Sequence, residues 1–84
     1  MYGRGCRFVR PGEPPTDTEL DVLQLVSHGH TNAVIAARLG LTENGVKHIL
    51  RAIYVRLSAR DRAHAVRRGF EHGYLRPDRQ QVAP

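Results

Sequence analysis

The chain has 84 residues, of which 40% are hydrophobic and 25% charged, and its formal net charge is +5 at pH 7. A chain of this length forms one small domain with a modest core, and its apolar runs are too short to span a membrane. No apolar stretch follows the first arginines, which argues against a secretory signal, and the lone Cys6 has no internal partner. We therefore expect a cytoplasmic protein.

The first predicted elements are an arm and a capped helix. Residues 1–15 combine arginines with several glycines and prolines, a composition that predicts a flexible basic arm. Thr16 and Glu19 fit a capping box, in which a hydroxyl and a carboxylate satisfy each other's backbone amides. The apolar spacing that follows predicts a first helix over about 17–28, which Gly29 can end in a left-handed conformation.

A second and a third helix follow with a very short turn between them. Thr31 is a suitable N-cap for the second helix, which is expected to end at Gly40. Only Leu41 separates that glycine from Thr42, the N-cap of a third helix over about 42–58. The apolar residues of this helix, spaced by three or four positions, are Val46, Ile49, Leu50, Ile53 and Leu57.

The rest of the chain predicts a fourth helix and a polar tail. Asp61 is the expected cap of a helix that continues to about Glu71, and residues 75–84 are predicted to be disordered. The sequence therefore predicts an all-α fold with four helices over residues 16–74. The second and third helices have the spacing of a helix-turn-helix.

Polar side chains capable of contacting DNA lie opposite the apolar stripe of the third helix. They are Asn44, Lys47, His48 and Arg51. Their spacing places them on one helical face, and such side chains bind base edges when a helix enters the major groove. Arg56, further along, is expected to reach the flanking phosphates. The alternative is an ordinary solvated face, but residues 31–60 carry five basic residues against a single acid, Glu43, which favours a polyanionic partner.

Together these features resemble the LuxR-type (NarL/GerE-type) helix-turn-helix domain of bacterial transcription regulators. The matching positions are Glu19, Val22, Leu23, Gly29, Thr31, Asn32, Ile35, Ala36, Leu39, Gly40, Leu41, Thr42, Val46, Lys47, Ile53, Tyr54, Arg56, Leu57, Arg62, Ala63, Ala65 and Val66. The resemblance covers residues 16–74 and implies that the third helix enters the major groove of double-stranded DNA. It also implies backbone contacts at Thr31, Asn32 and Arg56, and a homodimer formed through the fourth helix.

The candidate site residues follow from the helical face and from the resemblance. The predicted DNA-binding residues are Thr31, Asn32, Thr42, Asn44, Lys47, His48, Arg51 and Arg56. The predicted dimer contacts, which step by four positions, are Val66, Phe70 and Tyr74. We expect a stand-alone transcriptional regulator that binds an inverted repeat as a dimer.

The sequence departs from the family pattern at three places. Ala33 and Val34 replace the usual Lys-Glu pair, which removes an amine that reaches phosphate. Gly45 stands where threonine is usual, and it either allows a closer approach to DNA or is simply tolerated in the helix. Ile49 replaces a frequent histidine, and His48 lies one position earlier. We therefore expect the target sequence and the affinity to differ from those of typical members.

Two other interpretations remain open. A sigma-factor region 4 domain bound to RNA polymerase shares the Leu-Gly-Leu-Thr turn and the Val46, Lys47 pair. A protein-interaction module that antagonises a larger LuxR-type regulator is favoured by Ala33, Val34 and Gly45, which weaken the usual DNA-contact pattern. These interpretations predict different partners for the same fold.

Enzymatic and metal-binding functions find no support in the sequence. It contains no nucleophile–base arrangement, phosphate-binding loop or cofactor motif, so we expect neither an enzyme nor a cofactor. His28 and His30 form an isolated pair without a cysteine cluster, which does not predict a metal site.

Overall fold

The computed structural model describes residues 9–76. Residues 1–8 of the predicted arm, with Cys6, and residues 77–84 of the predicted tail lie outside the described residues. Within 9–76 the chain forms four helices and no strand, which confirms the all-α prediction. The helices are α1 (Asp17–Ser27), α2 (Asn32–Leu39), α3 (Glu43–Leu57) and α4 (Arg62–Glu71). None of these four helices has the length and apolar character needed to cross a bilayer.

Each helix begins at the cap that the sequence predicts. Thr16 Oγ1 accepts a hydrogen bond from the amide of Glu19 at 3.2 Å, and Glu19 Oε1 accepts one from the amide of Thr16 at 3.0 Å. The side chains of Thr31, Thr42 and Asp61 each accept from the amide three residues ahead, at 3.3, 2.9 and 2.8 Å. Because such a cap contributes about 1 kcal/mol, the helix starts are specified locally.

The turn between α2 and α3 depends on a left-handed residue. Gly40 has φ 68°, and its amide donates to the carbonyl of Ala36. The amide of Leu41 donates to the same carbonyl at 2.8 Å, which closes the turn. A positive φ is inexpensive for glycine, so the chain reverses within two residues and sets α3 across α2.

The helix α3 lies at the centre of the fold and contacts each of the other three helices. Its buried residues are Gly45, Val46, Ile49, Leu50, Ala52, Ile53 and Leu57. Val22 and Leu23 from α1 and Ile35 from α2 are fully buried against this cluster. Gly45 therefore faces the protein, and tolerance within a packed helix is the interpretation of this residue that fits the structure.

Arg56 fastens the segment before α1 to the end of α3. Its Nη1 donates to Glu13 Oε1 at 3.2 Å and to the Pro14 carbonyl at 3.4 Å. Its Nε lies 2.7 Å from Glu19 Oε1, an ion pair in which the N–H is not aligned for a hydrogen bond. The Arg56 carbonyl accepts from the amide of Gly12 at 2.9 Å. Residues 12–14, predicted as part of a flexible arm, therefore contact α3.

A close approach between α4 and its neighbours is possible because position 69 is glycine. A Cβ on Gly69 would lie 2.8 Å from Leu75 Cδ1 and 3.0 Å from Leu23 Cδ2. The amides of Tyr74 and Leu75 both donate to the Gly69 carbonyl, so the chain turns back after α4. Leu75, which we assigned to the tail, is only 4% exposed and belongs to the core.

Replacing Gly69 by leucine should lower the free energy of unfolding by about 1–3 kcal/mol, because the added atoms must displace Leu75 or Leu23. Ala63→Leu, on the exposed face of the same helix, is the matched control and should have little effect. Urea denaturation followed by circular dichroism measures both variants. Equal stabilities would contradict the close packing at Gly69.

Replacing Arg56 by alanine should lower the free energy of unfolding by about 3 kcal/mol, because Glu19 is left buried without its cation. A double variant that combines Arg56→Ala with Glu19→Gln should regain part of the lost stability, since glutamine keeps the capping hydrogen bond without carrying a charge. Arg60→Ala removes an exposed arginine and should stay within about 0.5 kcal/mol of the parent. Chemical denaturation compares the three, and a loss in Arg60→Ala as large as in Arg56→Ala would argue against the buried pair.

Candidate nucleic-acid interface

The exposed face of α3 carries the polar side chains that the sequence singled out. Asn44, Lys47 and Arg51 are exposed, and His48 is half-buried. They lie on one side because residues separated by three, four or seven positions share a helical face. The one carboxylate of α3, Glu43, lies in its first turn, where the helix dipole favours a negative charge. Asn44 shares that turn and Glu43 lies four residues before Lys47, so the polar face carries one acid at its N-terminal end and cations beyond it.

The start of α2 lies beside this face. Asn32, the first residue of α2, lines the same open groove as Lys47 and Arg51. Thr31 and Thr42 are exposed, and each hydroxyl oxygen accepts the capping hydrogen bond of its helix. The structure thus brings Asn32 together with the α3 cations, while the two threonines act as caps at the starts of α2 and α3.

Arg56 is the predicted DNA contact that the structure separates from the others. It lies five residues beyond Arg51, which is about 140° around the helix axis at about 100° per residue. Its guanidinium is held by Glu13 and Glu19, and its side chain is 14% exposed. Because its charge is neutralised within the domain, we leave Arg56 out of the candidate interface. Glu13 is 43 positions away in sequence, so no local pattern reveals the pair.

Arg62 is a site residue that sequence reasoning missed, since we used it only as part of the family pattern. Its Nη1 donates to Asn32 Oδ1 and its Nη2 donates to the His30 carbonyl, both at 2.6 Å. The side chain therefore connects the first turn of α4 to the start of α2. A signal was present in the sequence: Arg62 directly follows the cap Asp61, and a cation in a first turn is disfavoured by the helix dipole. An arginine at that position indicates a partner elsewhere.

Tyr54 lines the same groove as Asn32, Lys47 and Arg62. Burial raises the pKa of its phenol, the neighbouring Arg62 cation opposes the rise in pKa, and the Asp61 carboxylate adds to it. The pKa therefore lies above the ordinary value near 10, and the hydroxyl is protonated at neutral pH. A protonated phenol is a hydrogen-bond donor, so Tyr54 adds a neutral donor beside the cations.

Of the predicted dimer residues, Val66 and Phe70 lie on α4 and Tyr74 on the turn after it, and Val66 and Tyr74 pack partly against the core. Phe70 is 41% exposed, and Val66 and Tyr74 are half-buried. The inner side of α4 is formed by the small residues Ala65 and Gly69, both buried. Phe70, together with the half-buried Val66 and Tyr74, forms an apolar strip that is partly open to solvent.

The histidines that raised the question of a metal site lie at the end of α1. The rings of His28 and His30 meet edge to face, with centroids 6.3 Å apart. In the part of the chain that the structure describes, no group of three or more histidine, cysteine, aspartate and glutamate residues is placed to hold a metal ion.

Comparisons with known proteins identify the family. The family model described as bacterial regulatory proteins, luxR family, matches residues 14–68. The transcriptional activator protein AhyR of Aeromonas hydrophila is 35% identical over 72 residues, which are 86% of this chain and 28% of AhyR. AsaR of Aeromonas salmonicida, also a transcriptional activator protein, matches with the same identity and coverage.

A third relative agrees with this assignment. The probable transcriptional regulatory protein SgaR of Hyphomicrobium methylovorum is 41% identical over 56 residues, which are 67% of this chain and 26% of SgaR. The chain therefore spans about a quarter of the length of the relatives it matches. The resemblance seen in the sequence is confirmed: this chain belongs to the luxR family of bacterial regulatory proteins and carries the helix-turn-helix DNA-binding domain of these transcription regulators.

Proposed function

We propose that the chain regulates transcription by inserting α3 into the major groove of double-stranded DNA, with two copies bound to an inverted repeat. The observation that carries this proposal is the exposed face of α3, on which an amide, an ammonium group and a guanidinium group lie in line. Lysine and arginine bind guanine O6 and N7, and asparagine binds adenine N6 and N7. We infer that Asn44, Lys47 and Arg51 make these contacts in the bacterial cytoplasm, with His48 beside them.

The start of α2 supports an anchoring contact to the DNA backbone. The first amides of a helix lack partners within it and attract anions, so Thr31 and Asn32 are suited to a phosphate. Thr42 begins α3 and is suited to the opposite edge of the groove. Ala33 and Val34 are exposed but supply no cation, so binding should depend strongly on Lys47 and Arg51. This dependence makes those two residues the sharpest test.

A dimer is supported by the apolar strip on α4. Phe70, with Val66 and Tyr74 beside it, is an aromatic side chain of the kind enriched at subunit contacts. Two copies related by a two-fold axis would place their α3 helices in successive major grooves, with half-site centres about 10 bp apart. The proposed DNA site is therefore an inverted repeat.

Pairing with a larger LuxR-type regulator is the second candidate, since the same strip on α4 would serve a heterodimer. The exposure of Ala33 and Val34, where the family carries a cation, favours it. In that case the protein would bind no DNA alone and would alter the elution of its partner. The match to the luxR family model gives the sigma-factor interpretation, and with it RNA polymerase as a partner, less support.

Replacing Lys47 or Arg51 by alanine should weaken binding to a selected DNA site by about 1–3 kcal/mol each, because each loses a base contact. The site is first obtained by selection from random duplexes, and affinities are then measured by band-shift titration at fixed salt. Arg67→Ala is the matched control, since Arg67 is an exposed arginine of α4 whose side chain is 78% accessible. Unchanged affinity in both α3 variants would exclude α3 as the reading helix.

Replacing Phe70 by glutamate should weaken self-association by at least about 2 kcal/mol, since a carboxylate would be buried in the contact. Val34→Glu alters a side chain of similar exposure on α2 and should leave the oligomeric state unchanged. Sedimentation equilibrium measures both variants beside the parent. A parent that is monomeric both free and on its DNA site would remove the dimer from the proposal.

A further inference from the structure

A cationic groove lies at the junction of α2, α3 and α4. It has a volume of about 200 Å³ and opens beside the exposed face of α3. Its lining residues are Asn32, Lys47, Leu50, Arg51, Tyr54 and Arg62. Three of these side chains are cations and none is a carboxylate, so the groove attracts an anion rather than a neutral ligand.

The amide of Asn32 is oriented by Arg62. A guanidinium can only donate, so the atom of Asn32 that lies 2.6 Å from Arg62 Nη1 must be the carbonyl oxygen. The other nitrogen of the fork donates to the His30 carbonyl, also at 2.6 Å, which fixes the plane of the guanidinium. With its oxygen held by Arg62, Asn32 turns its Nδ2 donors away from α4.

Both groups that accept hydrogen bonds from Arg62 are neutral carbonyls, so neither offsets its positive charge with a negative one. An arginine in the first turn of a helix is disfavoured by the helix dipole, and an interaction outside α4 compensates for this. The two carbonyl groups supply part of that compensation, and an anion in the groove would supply the rest. Tyr54 adds a hydroxyl donor, and Leu50 adds an apolar wall.

We propose that this groove seats one phosphodiester group of the DNA backbone, bound by the donors of Asn32 and Tyr54 and attracted by the charges of Lys47, Arg51 and Arg62. Arg62 acts as a positioning residue that aims the Asn32 amide. This inference rests on the proposed DNA binding and deepens it, since it brings α4 into the DNA contact. Lys47 and Arg51 stand at the rim, where one edge faces the bases and the other faces the backbone.

Asn32→Asp separates a binding role from a structural one. The aspartate keeps an oxygen acceptor for Arg62 and adds a negative charge at the first turn of α2, where the dipole stabilises it. The free energy of unfolding should therefore be unchanged or higher, while the affinity for DNA falls about tenfold because a donor becomes an anion facing phosphate. A purely structural Asn32 would leave DNA affinity as in the parent.

Three further variants, at Tyr54 and Arg62, separate the role of the hydroxyl from that of the guanidinium. Tyr54→Phe removes one donor and should weaken DNA binding about threefold to tenfold on selected and unrelated duplexes alike, since a phosphate carries no sequence information. Arg62→Lys keeps the charge but not the fork, so the salt slope of binding should hold while affinity falls. Arg62→Gln should lower that slope by about one unit, whereas Arg67→Gln, the control on the same helix, should not.

A double-mutant cycle, which combines a change in the protein with a change in the selected duplex, locates the phosphate that Asn32 contacts. Methylphosphonate is introduced at one backbone position at a time, which neutralises a single phosphate. At one position in each half-site the substitution should weaken binding of the parent but add nothing to the loss already caused by Asn32→Asp. Additive losses at every position would overturn the proposal.

The outcomes distinguish this inference from the proposed function. If Lys47→Ala and Arg51→Ala lose affinity while Asn32→Asp and Tyr54→Phe bind as the parent does, the phosphate seat is wrong and DNA reading by α3 stands. If the parent selects no duplex at all, the proposed DNA binding fails and the phosphate seat fails with it.

Discussion

Burial of one side of α3 is the constraint on which the rest of the structure depends. Val46, Leu50 and Ile53 are at most 4% exposed, and α3 contacts each of the three other helices. Apolar burial contributes about 25 cal/mol per Å², so a domain this small keeps its fold only if α3 stays covered. The opposite side of the helix remains open for the same reason, and its position in space follows from the packing of the core.

Two arginines, Arg56 and Arg62, connect the helices to one another in addition to the apolar core. Arg56 connects α3 to Glu13 and Glu19, and Arg62 connects α4 to the start of α2. A guanidinium suits this role because its planar fork holds several acceptors at fixed angles. The two arginines differ in the charge of the groups that they contact. Arg56 is paired with carboxylates, whereas the acceptors of Arg62 within residues 9–76 are the carbonyl groups of Asn32 and His30 beside the groove.

The two sides of α4 carry side chains of different size. Small residues, Ala65 and Gly69, allow it to approach α1 closely, and Leu75 closes over the glycine. Val66 packs partly against the core, whereas Phe70 is left 41% exposed. A helix that packs through small residues and keeps its aromatic side chain outside is suited to a second contact. In this way close packing inside the domain and the proposed association between copies have a common origin.

Local features of the sequence determined the helices, the short turn and the polar face of α3. Caps such as Thr42, the left-handed Gly40 and apolar steps of three and four act within a few residues, so they are legible without a structure. Only the tertiary structure decided which groups Arg56 and Arg62 contact, because Glu13 lies 43 positions from Arg56 and Asn32 lies 30 positions from Arg62. It also decided that Leu75 is core. A cation on a helix reads alike in sequence whether it meets solvent, a carboxylate or a phosphate, because only the folded chain sets which of these lies within reach.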